Sequence, residues 1–175
     1  MFHQFAHFVP EEDAVDAVIA AWRRFAGARA FPARTDLDPL ALGSLLPHVM
    51  ILDVVETGAG IDFRYRLLGE ALKRGYGANI TGRLHGEFVK SPAGAFKPVR
   101  SAYLRAFNDH VVVRFEAMFR GPEDTPKRLR AAGMPRSDDG INVTGLLGVG
   151  VFVDVEINEN DQPESPRSPE ASGAK

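Results

Sequence analysis

The chain has 175 residues, of which 45% are hydrophobic and 25% are charged, and it contains no cysteine. These proportions are typical of a globular protein, so they exclude a wholly disordered, fibrous or membrane-embedded chain. Residues 1–156 carry 19 acidic and 19 basic side chains, so net charge gives no reason to expect nucleic acid or an anionic membrane as a partner. The absence of cysteine excludes disulfides, thiolate metal ligands and thioether-linked chromophores.

The sequence shows no sign of membrane insertion or export. No uninterrupted apolar stretch reaches the roughly 18 residues of a membrane-spanning helix. The N-terminal segment lacks the basic start and the small-residue cleavage site of a signal peptide. We therefore expect a cytoplasmic protein, which the absence of cysteine also fits.

Residues 10–27 have the pattern of an amphipathic helix. Pro10 and the acidic residues after it suit a first turn, and Gly27 can end the helix. Apolar side chains recur at helical spacing and form one stripe: Val15, Val18, Ile19, Trp22 and Phe25. This stripe can pack on the chain's own sheet, against a second copy, or both. We take these five residues as dimer-interface candidates and predict that removal of residues 1–26 abolishes dimerisation.

The rest of the chain has the pattern of an α+β domain followed by a tail. Helices are expected over residues 40–46, 70–75 and 95–108, and strands over residues 48–56, 62–68, 110–120, 127–136 and 142–156. This order favours an antiparallel sheet with helices on one face. Residues 157–175 are polar and rich in proline, which predicts a disordered tail, with a short docking peptide as the alternative.

Several motifs resemble the PAS domain family. One group reads as a second strand, a short helix and a closing Gly-Arg: Phe63-Arg-Tyr-Arg-Leu-Leu-Gly69, Gly75-Tyr76-Gly77 and Thr81-Gly82-Arg83. Another resembles the PAS ending, a hairpin with Asp-Gly at its tip and a glycine-bearing last strand: Ser137-Asp-Asp-Gly140 and residues 144–154. A third pattern resembles a bacterial subfamily of short stand-alone PAS proteins: Pro32-Ala-Arg34, Asp36-x-Asp38-Pro39, Leu45-Leu-Pro47-His48, Asp53-Val54, Asp62-Phe-Arg-Tyr-Arg66 and Thr81-Gly82.

The resemblance covers about residues 32–156 and implies a five-stranded antiparallel sheet with helices over one face, often with a ligand pocket between them. PAS domains act as sensory and interaction modules, commonly as dimers through a helix N-terminal to the core. Most regulate an attached output domain, for which this chain has no room. We therefore expect a non-catalytic, homodimeric signalling module that acts through a small-molecule ligand, a signalling protein partner, or both. Residues 1–26 are its flanking helix, 27–156 its PAS-like domain and 157–175 its tail.

Five side chains are candidates for a ligand site: Tyr65, Arg66, Tyr76, Tyr103 and Phe107. The aromatic members can equally belong to an ordinary core. Arg66 shares a strand face with Arg64, and this pair can recognise an anion or form cross-strand ion pairs on the outer face of the sheet. Alternation alone does not decide which face of the strand over residues 62–68 is buried.

No cofactor is assigned from the sequence. Without cysteine, a covalently linked chromophore is excluded, and no motif indicates noncovalent flavin. Haem would need an imidazole ligand, and His85 and His110 are the only histidines in the middle of the chain. We expect both to cap a turn or face solvent instead. No histidine pair in the folded part has metal-ligand spacing, so we predict no metal site.

A small enzyme resembling ketosteroid isomerase is the alternative from a different class. Such enzymes also combine helices with a curved sheet, and use a carboxylate in an apolar pocket as the base. Asp53, inside an apolar strand, would take that role. The competing interpretation is that Asp53 pairs with Arg64 or Arg66, or faces solvent. No catalytic residue is therefore assigned.

Overall fold

The computed structural model describes residues 13–89, 96–120 and 125–155. Its helices are α1 Ala14–Ala26, α2 Pro39–Leu42, α3 Glu70–Tyr76, α4 Gly86–Val89 and α5 Phe96–Asp109, with 3-10 turns at Arg34–Asp36 and Gly43–His48. Its strands are β1 Val49–Thr57, β2 Gly60–Leu68, β3 Val113–Arg120, β4 Pro126–Arg136 and β5 Gly145–Asp154. The tail expected over residues 157–175 lies outside the described residues. None of the described helices is long and apolar enough to span a bilayer.

The strands form one antiparallel sheet in the order β2-β1-β5-β4-β3. The pairs β1–β2, β3–β4 and β4–β5 are sequential in the chain, and β1 also pairs with the last strand, β5. The last strand therefore lies in the middle of the sheet, with β2 and β3 at the two edges. The α+β class and the five-stranded antiparallel sheet are confirmed.

Each face of the sheet carries an apolar core. The inner face packs against α3 and α5, and its largest fully buried side chains include Met50, Leu52, Phe63, Tyr65, Leu72, Tyr103, Leu129 and Leu146. The outer face packs against α1 and the segment before β1, around Val49, Ala132, Met134, Leu147 and Val149. The central strands are therefore covered on both faces, which explains why β5 reads as a continuous apolar run rather than an alternating one.

Helix α1 uses its apolar stripe within the chain. Val15, Val18, Ile19 and Trp22 are buried against the outer face of the sheet, and Phe25 is half-buried beside them. The indole N–H of Trp22 donates to the Pro135 carbonyl oxygen at 2.7 Å, which ties the helix to β4. Gly27 ends the helix at φ 59°, with its N–H on the carbonyls of the last turn. Removing residues 1–26 would therefore uncover an apolar core as well as test association.

Strand β2 points its aromatic side chains inward. Phe63 and Tyr65 are fully buried on the inner face, whereas Arg64 and Arg66 are more exposed. The ladder with β1 shifts between Ile51 and Leu52, because β2 carries one extra residue there, Arg66. The burial of Phe63 and Tyr65 settles the face that alternation left open, and the bulge then turns Leu68 inward as well.

Two strands begin later than their sequence patterns indicate. His110 has a φ of 58°, so the chain turns sharply after α5 and β3 starts only at Val113. Before β5, the carboxylate of Asp139 accepts the backbone N–H groups of Ile141 and Asn142, at 2.8 and 2.7 Å. This local turn competes with the ladder and delays β5 to Gly145.

Candidate functional site

A polar chain crosses the interior between the sheet and the helices on its inner face. The hydroxyl of Tyr65 lies 2.8 Å from Nδ1 of His85, and Nε2 of His85 lies 3.1 Å from the Phe96 carbonyl oxygen. A carbonyl only accepts, so Nε2 carries the hydrogen and Nδ1 accepts from the Tyr65 hydroxyl. This series of hydrogen bonds therefore links β2, the segment before α4 and the start of α5.

The expectation that His85 caps a turn or faces solvent is wrong. Leu84 forms an isolated bridge with Arg64, and the His85 N–H donates to the Phe63 carbonyl at 2.8 Å, so this segment pairs with β2. The ring is fully buried and lies edge-on to Tyr103, with centroids 5.3 Å apart. This tertiary placement has no local sequence signal.

Burial lowers the pKa of His85 to about 4, so the ring is neutral at pH 7. With both ring nitrogens hydrogen-bonded, it presents no free nitrogen to a haem iron. His110, the other histidine considered, is exposed as expected and lies edge-on to Phe31, with centroids 5.7 Å apart. His85 therefore does not fit the role of a haem ligand in this arrangement.

Aromatic rings fill the space beside this polar chain. The ring of Tyr76 stacks on Phe96 with centroids 5.8 Å apart, and meets Phe119 and Phe152 edge-on at 5.4 and 5.0 Å. Tyr103 donates its hydroxyl to the sulfur of Met50 at 3.1 Å. Burial raises the pKa values of the tyrosine hydroxyls here well above their usual range, so all of them stay neutral.

The Tyr76 hydroxyl is the exception in this interior. Its oxygen is buried and has no hydrogen-bond partner within the part of the chain that the structure describes. A buried polar group left unpaired costs about 1–3 kcal/mol. Such a group in a native fold calls for an explanation, and a bound molecule is one of the ordinary ones.

An ion pair between Asp62 and Arg100 lies at the edge of this interior. Asp62 accepts the N–H of Gly86 and one guanidinium N–H of Arg100, both at 3.0 Å. Arg100 also donates to the Ile61 carbonyl at 2.8 Å, so α4 and α5 are clamped to β2. A Cβ at Gly86 would lie 2.4 Å from the Asp62 carboxylate, so this close approach requires glycine. Beside the clamp opens a cleft of about 390 Å³, lined by Thr57, Ala59, Asp62, Leu84, Gly86, Glu87 and Arg100.

The five predicted ligand-site residues fall into three places. Tyr65, Tyr76 and Tyr103 share the interior just described. Phe107 lies at its edge and lines a separate cleft of about 360 Å³ near the β4–β5 connection. Arg66 is on the outer face, away from the tyrosines, with its Nε 2.5 Å from Asp53.

Asp53 lies between two guanidinium groups on the outer face of the sheet. It pairs with Arg66 and with Arg136, whose side chain is only 1% exposed and also bonds Asp138 at 2.7 Å. A Cβ at Gly145 would lie 2.5 Å from the Arg136 guanidinium, so glycine makes room for it. The pairing interpretation of Asp53 therefore fits the geometry, and the apolar pocket required by the enzyme alternative is not around this carboxylate. Arg136 was not recognised from the sequence.

The residues of the subfamily-like pattern stabilise this outer layer. The Arg34 N–H donates to Asp138 at 2.9 Å, and the Ser137 N–H donates to the Pro32 carbonyl at 3.0 Å. Asp38 accepts the Leu40 N–H at 2.9 Å and so caps α2. These motifs hold the segment before β1 against the β4–β5 connection. Among the described residues, no group of acidic or histidine side chains is arranged to hold a metal ion.

Comparison with known proteins finds a matching family model and a similar solved structure. Residues 11–92 match the family model for the PAS domain, which supports a PAS domain in this chain. A solved structure of a fungal LOV domain photoreceptor is similar at 18% identity over 78% of this chain and 91% of that chain, with a TM-score of 0.46. No curated protein sequence matches the chain.

Proposed function

We propose that this chain is a PAS-type sensory module that binds a small molecule in the interior between the sheet and helices α3 to α5. The PAS match and the antiparallel sheet support a sensory role rather than catalysis. The observation that carries the ligand proposal is the buried, unpaired hydroxyl of Tyr76. The cytoplasmic location and the bacterial subfamily belong to the same proposal and rest on the sequence pattern alone.

The surroundings of Tyr76 indicate the chemistry of the ligand. Its neighbours Phe96, Phe119 and Phe152 are aromatic, so a ligand here is mostly apolar and flat. The hydroxyls of Tyr65 and Tyr103 already have partners, so one polar atom of the ligand would pair with Tyr76. To make room, the rings of Phe119 and Phe152 would turn away from Tyr76.

Movement of these rings would transmit ligand binding to helix α5. Phe96 begins α5 and stacks on Tyr76, and its carbonyl holds His85. A ligand that separates these rings would favour a different packing of α5 on the sheet. It would act by shifting the population of two packing arrangements, in proportion to its difference in affinity for them.

Native mass spectrometry of the freshly purified protein tests the ligand proposal. We expect mass in excess of the polypeptide in the native spectrum, and loss of that excess in Tyr76→Phe. Because the substitution removes an unpaired hydroxyl, the free protein should lose no stability, or gain up to about 1 kcal/mol in urea unfolding. Tyr103→Phe is the matched control, since its hydroxyl has a partner in Met50. A bare polypeptide, together with no response of the Tyr76 ring to a library of flat aromatic fragments in NMR, would refute it.

A homodimer is the second part of the proposal, and it needs a surface other than the stripe of α1. On the part of the outer face that α1 does not cover, the side chains of Met118 and Val153 are 52% and 39% exposed. Both align with Arg128 in one row across three strands. Arg130 with Glu116, and Arg114 with Asp16, place both signs of charge around this row. A surface with both signs can pair with itself about a two-fold axis.

The dimer proposal predicts that Met118→Glu yields a monomer. A carboxylate in place of the apolar Met118 side chain would lose its hydration against the second copy, and only the neighbouring Arg128 could offset part of that cost. Light scattering and sedimentation measure the change. Ile141→Glu is the control, because Ile141 is 77% exposed but lies at the opposite end of β4. A wild-type protein that is monomeric at high concentration, or a Met118→Glu variant that remains dimeric, would contradict this interface.

A further inference from the structure

A second cleft, apart from the aromatic interior, is lined by basic side chains. It has a volume of about 320 Å³ and lies where the C-terminal half of α3 crosses β5 and the start of β4. Its lining residues are His48, Ala71, Arg74, Gly75, Lys127, Gly150 and Phe152. No acidic residue is among them. The cleft therefore has the charge of an anion site without a fixed counter-charge in its wall.

The two cations of this cleft are weakly engaged. Arg74 has no hydrogen bond or ion pair from its guanidinium in the described part of the chain. Lys127 pairs with Asp154 at 3.1 Å, but the Asp154 side chain is 87% exposed while that of Lys127 is 25% exposed. An ion pair with so exposed a partner is worth about 0–1 kcal/mol. An anion in the cleft can therefore replace Asp154 at little cost.

The floor of the cleft is apolar and is packed closely by the chain's own side chains, since a Cβ at Gly150 would lie 2.8 Å from Leu129. The ring of Phe152 lies along it, and two glycines, Gly75 and Gly150, contribute backbone without side chains. A Cβ at Gly75 would lie 1.9 Å from the Phe152 ring, so the helix and strand approach here as closely as glycine allows. A flat apolar group can lie against Phe152 while its anionic end meets the two cations.

We propose that this cleft binds a small organic anion, with its carboxylate or phosphate on Arg74 and Lys127 and its apolar body on Phe152. This site shares Phe152 with the interior site proposed above, but its polar contacts come from other residues, so the two can be tested separately. Carboxylate and phosphate share the chemistry that a guanidinium recognises, so the test includes both. Phe152 also contacts Tyr76, at 5.0 Å between ring centroids, so an occupant of this cleft would touch the outer side of the aromatic wall.

NMR titration of the full chain with benzoate and with inorganic phosphate tests the site, with neutral benzamide as a reference probe. At about 10 mM probe, tenfold above a Kd of about 1 mM, we expect the amide signals of Gly75 and Gly150 to shift with an anion and not with benzamide. Benzoate binding more tightly than phosphate identifies an aromatic carboxylate as the ligand type. The reverse order identifies a phosphate ester.

Variants distinguish anion binding at this site from nonspecific electrostatic attraction to the protein. Arg74→Ala should weaken anion binding about tenfold, because it removes a charge-assisted hydrogen bond. Asp154→Asn should tighten binding about twofold to fivefold, because it removes the competitor for Lys127. The control Arg105→Ala removes an exposed arginine that pairs with Asp109 on α5, and should change nothing. Tyr76→Phe should also leave anion binding intact.

Three outcomes would overturn the proposal. They are no anion-dependent shift at Gly75 and Gly150, equal shifts with benzamide, and equal affinities in Arg74→Ala and Arg105→Ala. If Arg74→Ala changes the fold, its loss of binding says nothing about the site. The variant Asp154→Asn then provides the test, because it leaves the cleft wall intact and must still raise the affinity for the anion. If the interior ligand fails to appear in native mass spectrometry while these shifts are seen, only the interior proposal falls.

Discussion

Replacement of Arg136 by methionine should lower the free energy of unfolding by about 3 kcal/mol. The Arg136 side chain is 1% exposed and bonds the carboxylates of Asp53 and Asp138. Without it, Asp53, which is 18% exposed, keeps only Arg66 at the edge of the layer. Leaving a covered carboxylate with half its partners costs more than the ion pair contributed, because the carboxylate has lost its water.

Arg66→Met is the matched control for this prediction. Arg66 binds the same carboxylate but is 47% exposed, so its loss should cost only about 0–1 kcal/mol. Urea unfolding followed by circular dichroism measures both variants. Adding Asp53→Asn to Arg136→Met should recover part of the loss, because the unpaired charge disappears. Equal effects of Arg66→Met and Arg136→Met would show that burial of Arg136 does not determine the stability of this layer.

Stability should fall between pH 6.5 and pH 4 because His85 is held neutral in the fold. Burial lowers the folded pKa of His85 to about 4, from the ordinary value of 6.5. Between these values the unfolded chain binds a proton that the folded chain does not, so protonation favours unfolding. The contribution is fully present above pH 6.5 and lost toward pH 4. The difference in pKa corresponds to about 3 kcal/mol.

The variant His85→Asn does not titrate and should flatten this pH dependence, although it is less stable at pH 7. The exposed His110 provides the control: His110→Asn should keep the wild-type slope. Urea midpoints between pH 7 and pH 5 isolate the effect, because the carboxyls whose pKa values are lowered, such as Asp36 and Glu87, contribute at lower pH. A slope in His85→Asn equal to that of the wild type would mean that His85 is solvated in solution.

The elements with strong local signals were predictable from the sequence. Helix α1 follows from its helical spacing, and the β4–β5 pair from its apolar run and turn residues, although the turn at Asp139 delays the start of β5 to Gly145. The buried position of His85 was not predictable, because it depends on the pairing of Leu84 with Arg64 across 20 residues of chain. Helix α4 has four residues, too few for a period to show. Each missed feature depends on contacts between distant segments.

The candidate site likewise contains residues that local patterns could predict and residues whose positions depend on distant contacts. Tyr65, Tyr76 and Tyr103 lie in one interior, and their role as ligand-site residues stays a prediction. Arg66 is a candidate because alternation leaves the buried face of β2 undecided; with Tyr65 inward, its neighbour Arg66 lies on the other face. Arg136 was overlooked because a charged residue at a strand end ordinarily faces water. Its burial depends on Gly145 and on the segment before β1, which lie about ten and a hundred residues away in the chain.

The bond from Trp22 to Pro135 joins residues 113 positions apart in the chain, and this separation constrains the order of folding during synthesis. Helix α1 leaves the ribosome early, but its docking surface exists only after β4 and β5 have been made. The end of β5 is about 130 residues beyond Trp22, so at the usual 5–20 residues per second the apolar stripe waits roughly 7 to 26 seconds for its partner. During that interval the stripe resembles a chaperone substrate. Formation of the last hairpin therefore closes the outer core and ends the exposure of the nascent chain to aggregation.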